Sequence, residues 1–305
     1  MAVYNIGQYI KIKREQLGIT QAALCEGLCT QATLSRIEAG EQIPQGDTML
    51  SLLQRLGESY LSIDSLLSQS DLEKIKATRE IRRLCNQGRY KEAQKLLDTI
   101  SGYKVMSKQD IQFCDMMNTV ILCAEGLISK ETALQNYEKT LRMTCKNYRM
   151  DNLPKIMTFN EISLLNKIAC YYDDLGQSDK AITILYHIIS FHKSGIVDEQ
   201  ESLRTLPMIL YNLSNILGRS GKYDDCLSIC NDGIELEMKT KGYYFLPSYM
   251  YNKGWALTKR GRAEDREEAK KLLLDAYDLS RIINDRPNRT RLIAKMLSED
   301  YGLLV

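Results

Sequence analysis

A small residue recurs at steps of 40, 48, 45 and 43 residues through most of the chain. The series consists of Ala93, Ala133, Ala181, Cys226 and Ala269, and Gly88, Gly176, Gly221 and Gly261 precede four of its members. Because a glycine ends a helix and a small residue lets the next helix pack closely, each copy predicts a helix pair. No strand pattern appears after residue 70, so an all-α fold is expected.

The best copy resembles the tetratricopeptide repeat. It runs from Tyr211-Asn212-Leu213-Ser214-Asn215 to Gly221-Lys222-Tyr223-Asp224-Asp225-Cys226. The steps exceed the ~34 residues of the standard repeat, so longer helices or loops are expected. The resemblance implies about five repeats, a capping helix from about Arg289 to Tyr301, and a right-handed superhelix whose first helices build a concave face. That shape suits an extended peptide better than a small metabolite.

Asparagine recurs on the first helices of the four later pairs, at the same or adjacent positions when the copies are aligned on their turns. An asparagine amide both donates and accepts hydrogen bonds, so a ladder of them can hold the backbone of a peptide of any sequence. The alternative is that these residues only bridge neighbouring helices. The predicted peptide-binding residues are Asn118, Asn166, Asn212 and Asn252, with Lys167, Tyr211, Asn215, Tyr251 and Lys253 beside them.

The first sixty residues carry a different pattern of short helices. Apolar spacing predicts a helix from about Ile6 to Gln16, which Gly18 ends. Thr20 and Thr30 are suited to cap the second and third helices by accepting amide hydrogen bonds. On the third helix we expect Leu34 and Ile37 to point inward, which leaves a polar outer face.

This segment resembles the lambda-repressor-like (XRE) helix-turn-helix family over residues 5 to about 68. The matching pattern is Arg14…Gly18-x-Thr20-Gln21-x-x-Leu24…Leu34-Ser35-x-Ile37-Glu38-x-Gly40…Pro44. The resemblance implies a five-helix domain, with a fourth helix from Asp47 or Thr48, a fifth from near Ser62, and a structural ion pair between Arg14 and Glu38. Glutamine and arginine read base edges in the major groove. The predicted DNA contacts are Gln21, Thr30, Gln31, Ala32, Thr33, Ser35 and Arg36.

Residues 1–60 hold five Lys or Arg against six Asp or Glu, a net charge of −1. Since phosphate neutralisation drives non-specific affinity, one such module should bind DNA weakly, and a dimer would double the contacts. A small helical bundle with no nucleic-acid role is the alternative for this segment.

A helix-turn-helix module before long tetratricopeptide-like repeats is similar to the RRNPP-type (Rgg/PlcR-like) quorum-sensing receptors. The resemblance implies a cytoplasmic, homodimeric transcriptional regulator whose binding to double-stranded DNA changes when an oligopeptide occupies the concave face. We expect domains at 1–68 and 69–285 and a capping helix at 286–305. A regulator that docks a protein partner and a phage-type peptide receptor for lysis–lysogeny control are the alternatives.

The sequence carries no catalytic signature. His187 and His192 lie five residues apart without an obvious Cys or Asp partner, and no glycine-rich phosphate loop occurs. Cys226 and Cys230 lie one helical turn apart, but only two His are present in the chain, so no zinc site is expected. The nine Cys fall in helical patterns, which indicates reduced thiols. We expect no enzyme activity, cofactor, signal peptide or membrane span.

Overall fold

The computed structural model describes residues 6–58, 69–101, 106–197, 199–283 and 287–304. In these ranges the regular secondary structure consists of helices alone, and the only β-type pairing is an isolated bridge between Arg149 and Asn152. The predicted all-α fold is therefore confirmed. The chain divides into two compact units, Met1–Glu201 and Ser202–Val305.

The first unit begins with four short helices, and α3 packs on both α1 and α2. The start of α1 agrees with the prediction, and α4 begins one residue before Asp47. The predicted fifth helix near Ser62 lies outside the described residues. The four helices are α1 (Ile6–Gln16), α2 (Gln21–Cys25), α3 (Gln31–Glu38) and α4 (Gly46–Arg55).

Helix pairs follow in both units, and the two helices of each pair are consecutive in the chain. In the first unit the helices are α5 (Gln69–Asn86), α6 (Tyr90–Ser101), α7 (Lys108–Ala124), α8 (Lys130–Arg142), α9 (Phe159–Asp174) and α10 (Ser178–Lys193). Then come α11 (Glu199–Arg219), α12 (Tyr223–Thr240), α13 (Leu246–Arg260), α14 (Asp265–Ile283) and α15 (Pro287–Tyr301).

The small residues of the repeat series are the points of closest packing. All five have 0% exposure, and each lies in the first turn or so of a second helix. Four occupy the fourth position of their helix, and Ala269 occupies the fifth position of α14. A glycine with φ between 73° and 76° ends the preceding helix in every pair, at Gly88, Gly126, Gly176, Gly221 and Gly261. The degenerate second copy therefore has its own glycine, Gly126.

Each unit buries an apolar core between successive helices. In the first unit α5 contacts α7 and α7 contacts α9, so the first helices of neighbouring pairs lie side by side. In the second unit α15 packs on α13 and α14. Its Ile293, Met296 and Leu297 meet Leu273 and Ala276 of α14, which is the capping arrangement that a terminal repeat needs.

Candidate DNA-binding and peptide-binding sites

The start of α3 is stabilised by the residue predicted to cap it. Thr30 has an extended backbone, and its Oγ1 accepts a hydrogen bond of 3.1 Å from the backbone N–H of Thr33. The hydroxyls of Thr30 and Thr33 are also 2.8 Å apart, so both side chains lie at the exposed first turn of the helix. Thr20 caps α2 in the same way, through the N–H of Ala23 at 3.2 Å.

The outer face of α3 is polar and accessible, as predicted. Leu34 and Ile37 are completely buried, while Thr33 is half-buried. The arrangement leaves a helix face with amide, hydroxyl and guanidinium groups directed away from the core. The exposed members of the predicted DNA-contact set are Thr30, Gln31, Ala32, Ser35 and Arg36.

Three side chains join α1, α2 and the end of α3 beneath that face. Arg14 Nε and Nη2 donate to Glu38 Oε1 and Oε2 at 2.6 and 2.8 Å, a bidentate pair. Gln21 Nε2 donates to Glu38 Oε2 at 2.8 Å. Burial opposes ionisation of Glu38, but the hydrogen bonds from Arg14 and Gln21 outweigh it and lower the pKa of this carboxyl. The expected ion pair is present, and Gln21, predicted as a phosphate contact, also belongs to this scaffold.

In the first unit, the predicted peptide-binding residues lie on two adjacent helices. Asn118 is exposed on α7, whereas Asn166 on α9 is buried with 4% exposure and Lys167 beside it is half-buried. Helices α7 and α9 contact each other. Asn166 also has an interaction partner within the protein.

In the second unit, the remaining residues lie on α11 and α13. Asn252 is 6% exposed, and its Nδ2 donates to Ser214 Oγ of α11 at 2.8 Å. This is the helix-bridging geometry of the alternative interpretation, so the structure favours that role for Asn252. The Lys253 ammonium lies 3.0 Å from Glu268 of α14. Tyr211, Asn212, Asn215, Tyr251 and Lys253 are all half-buried.

Two further aromatic residues on first helices, Tyr171 and Trp255, pack against other rings. The Tyr171 ring centroid lies 5.3 Å from that of Tyr137, and the Trp255 ring centroid lies 6.1 Å from that of Tyr223. Their contacts are with other parts of the helical core, and they are therefore poor candidates for ligand contacts.

Arg55 and Glu161 were not predicted as a pair from the sequence, and they form a fully buried ion pair with an N–O distance of 2.6 Å. One local signal was available. Thr158 and Glu161 have the spacing of a capping box, and each side chain accepts a backbone N–H at the start of α9. Nothing local in the sequence indicates that Arg55, 106 residues earlier, binds the same carboxylate.

The two histidines and the Cys226–Cys230 pair, the residues considered for catalysis or metal binding, lie in contact with other parts of the fold. His187 Nε2 lies 2.7 Å from the carbonyl of Pro154, and burial lowers the pKa of His192 to about 4. The thiols of Cys226 and Cys230 are 4.0 Å apart, and Cys226 donates to the carbonyl of Ser214. All nine cysteines are free. Among the described residues, no group of His, Cys, Asp and Glu is arranged to hold a metal ion.

None of the described helices combines the length and the apolar character that crossing a bilayer requires.

Comparison with known proteins agrees with this architecture. A helix-turn-helix family model matches residues 10–62, and the model of the RNPP family C-terminal domain matches residues 66–287. No curated protein matches the sequence significantly.

Several solved structures share the fold over almost the whole chain. PlcR of Bacillus thuringiensis, solved in complex with the peptide PapR7 and DNA, is 22% identical with a TM-score of 0.61, covering 97% of this chain and 99% of that chain. Apo ComR of Streptococcus vestibularis is 17% identical with a TM-score of 0.55, covering 97% and 98%. The pheromone receptor Rgg2 of Streptococcus dysgalactiae is 13% identical with a TM-score of 0.51, covering 97% and 99%.

The RNPP model covers well over half of the chain and follows directly on the helix-turn-helix match. Together with the capped, polar-faced α3 and the stacked helix pairs, it identifies the chain as a member of the RNPP family of peptide-responsive DNA-binding regulators.

Proposed function

We propose that this chain is a cytoplasmic transcriptional regulator that binds double-stranded DNA through α3 and a short oligopeptide through its repeat domain, and that it acts as a homodimer. The exposed face of α3 supports the proposed DNA binding, because Gln31, Ser35 and Arg36 surround a buried Leu34 there. A dimer supplies a second recognition helix, which offsets the low positive charge of a single module.

The peptide half is supported by family membership and by the first helices of the repeats. The PlcR structure contains both a peptide and DNA, and that protein has the same fold. In our chain Asn212 and Asn215 are half-buried on α11, so each residue keeps some solvent exposure, and Asn212 also has an interaction partner within the protein. Asn118 is the most exposed of the predicted peptide-binding residues in the first unit. We propose Asn118, Asn212 and Asn215 as peptide contacts, with Lys167, Tyr211, Tyr251 and Lys253 setting side-chain preference.

The two buried asparagines have a different place in this proposal. Asn252 bridges α11 and α13, and Asn166 is buried on α9 with a partner within the protein, so we assign both to fixing the helices that carry the more exposed residues. The domain limits 1–68, 69–285 and 286–305 remain a prediction that accompanies this function. The family is regulatory, which agrees with the proposed absence of enzyme activity.

Peptide binding is tested with fluorescently labelled short peptides translated from small reading frames beside the gene. The wild type and the Asn212→Ala variant are titrated with each peptide, and Asn86→Ala, an exposed asparagine at the end of α5, is the matched control. We expect tight binding by wild type and control and at least tenfold weaker binding by Asn212→Ala. Absence of binding by a folded wild-type protein would instead favour a regulator that docks a protein partner.

A further inference from the structure

The carboxyl-terminal half of helix α4 is covered on every side within the first unit. The six consecutive residues 51–56 all have exposures of 7% or less, and Leu52, Leu53 and Leu56 are completely buried. Six residues exceed one turn of helix, so a helix that packed against a single neighbour would expose some of them. Helix α4 therefore lies between the other DNA-binding helices and the helices of the repeats.

The carboxyl end of α4 makes this contact through the guanidinium of Arg55. Its Nη1 donates to the carbonyls of Leu24 and Glu26, at 3.1 and 2.6 Å, where α2 ends. Its Nη2 donates to Glu161 Oε1 at 2.6 Å and to the carbonyl of Thr144 at 3.4 Å. The side chain is 2% exposed. One guanidinium thus joins the helix-turn-helix to the segment between α8 and α9.

Both carboxylate oxygens of Glu161 accept hydrogen bonds, one from Arg55 and one from the backbone of the repeats. Glu161 has 0% exposure, and its second oxygen accepts the backbone N–H of Thr158 at 2.6 Å, which begins α9. The same helix carries Asn166 about one and a half turns later, about 7.5 Å along the axis. The ion pair therefore connects the DNA-binding helices directly to a first helix of the repeats.

Two glycines bring their backbones into close contact with other segments at this junction. A Cβ atom at Gly27 would lie 2.2 Å from the Thr144 carbonyl oxygen, and one at Gly57 would lie 1.5 Å from that of Ile196. At the other end of α4, the Lys74 ammonium lies 3.3 Å from Asp47 and 3.1 Å from Asp110. Helix α4 is thus held by charged contacts at both ends.

We propose that Arg55 is a positioning residue for DNA recognition: through Glu161 it holds the helix-turn-helix in one orientation on the repeats. In a homodimer this orientation sets the distance between the two recognition helices, and hence the half-site spacing that the protein accepts. The effect on half-site spacing rests on the proposed function, because it requires a DNA-binding homodimer. The fixed orientation of the helix-turn-helix does not depend on that function.

The test uses the full-length protein with the pair replaced, Arg55→Met with Glu161→Gln. Removing one partner alone would leave an uncompensated buried charge and endanger folding, while replacing both is tolerated far better. The amide oxygen that Glu161→Gln introduces can still accept the backbone N–H of Thr158. The matched control is Arg83→Met with Glu80→Gln, because that pair has the same N–O distance of 2.6 Å but is exposed and lies within α5.

The first readout is backbone ¹⁵N relaxation, which requires no DNA. In wild type and control, amides of α3 should report the same rotational correlation time as amides of α9. In the double variant the α3 amides should report a correlation time shortened by about a third or more. Equal values for α3 and α9 in the double variant, or unequal values in wild type, would overturn the proposal.

The second readout is affinity for duplexes selected by the wild type from a random library, with one to six base pairs inserted between half-sites. Wild type should lose at least tenfold affinity on insertions of a few base pairs. The double variant should vary by less than threefold over the series while keeping its affinity for a single half-site. A sharp spacing optimum in the double variant would contradict the positioning role. Failure of the wild type to select any DNA would refute the proposed function. The relaxation result would still decide whether Arg55 fixes the orientation of the helix-turn-helix.

Discussion

Gln21 Nε2 lies 2.8 Å from Glu38 Oε2, the oxygen that also accepts a hydrogen bond from Arg14 Nη2. One carboxylate at the end of α3 thus accepts hydrogen bonds from side chains of both α1 and α2. The three helices depend on a charge that is almost completely buried, since the Glu38 side chain is 4% exposed. The orientation of α3 is therefore fixed by electrostatics as well as by its apolar face.

Glu38→Gln should lower the free energy of unfolding by about 2–3 kcal/mol, because the nearly buried Arg14 would lose its closer charged partner and keep the longer 3.5 Å contact with the exposed Glu15. Urea unfolding followed by circular dichroism measures the loss. Glu80→Gln is the control, since Glu80 pairs with Arg83 at the same 2.6 Å on the surface, where ion pairs contribute little. Equal stability of Glu38→Gln and wild type would show that the pair is not part of the scaffold.

Arg36→Ala should reduce affinity for a selected operator roughly 10- to 100-fold, as expected when a bidentate base contact worth about 1–3 kcal/mol is lost. Its effect on non-specific duplex should be much smaller. Thr33→Ala, at the first turn of the same helix, should also weaken sequence preference. Electrophoretic shift or anisotropy titrations on operator and scrambled duplex measure both. If both variants keep full preference for the operator, α3 is not the recognition helix.

Asn252→Ala should lower the free energy of unfolding by about 1–3 kcal/mol, because Ser214 loses a buried hydrogen-bond donor. Asn86→Ala, on an exposed surface, should change stability very little. Thermal unfolding of the two variants makes the comparison. An unaffected stability in Asn252→Ala, combined with loss of peptide binding, would return Asn252 to the set of direct peptide contacts.

The unfolding free energy should fall as the pH drops from 7 to 5, by about 2 kcal/mol from one histidine. Burial lowers the pKa of His192 from its ordinary 6.5 to about 4. Between these values the unfolded chain binds a proton that the folded chain does not, so this stability is present above pH 6.5 and is lost progressively toward pH 4.

The His192→Gln variant cannot take up this proton on unfolding, so its stability lacks this dependence on pH. Glu38 and Glu161 have lowered pKa values, so their contributions are lost only below the ordinary glutamate pKa. Carboxyl groups with raised pKa values, such as Glu237, titrate alike in wild type and variant and therefore cancel in the difference. Urea unfolding at half-unit steps of pH should give a flatter profile for the variant. The same slope in wild type and variant would assign the titration to another group.

Local features of this fold were predictable from sequence. Thr20 and Thr30 have the chemistry of helix caps, and Ala93 to Ala269 repeat because each second helix needs a small residue at its closest approach. These signals depend on neighbours within one or two turns. Gly126 escaped the pattern because the second copy is degenerate around it.

Long-range features were not predictable in the same way. The Arg55–Glu161 pair joins residues 106 positions apart, and the Asn252–Ser214 bond joins helices of different pairs. Sequence spacing cannot show whether a polar residue on a first helix faces a ligand or a neighbouring helix. The asparagine ladder was a reasonable expectation from register alone, and its members differ in the structure because Asn118 is exposed while Asn166 and Asn252 are buried.

We propose that peptide binding and DNA binding are coupled in this protein. The most direct test measures operator affinity with and without saturating peptide, and peptide affinity with and without saturating operator. Thermodynamic linkage requires that peptide changes the operator affinity by the same factor by which operator changes the peptide affinity. We expect this factor to be at least five, as an increase or a decrease. Equal, non-unit factors would establish a peptide-responsive regulator. Tight binding of both ligands, with neither ligand changing the affinity for the other, would contradict this coupling.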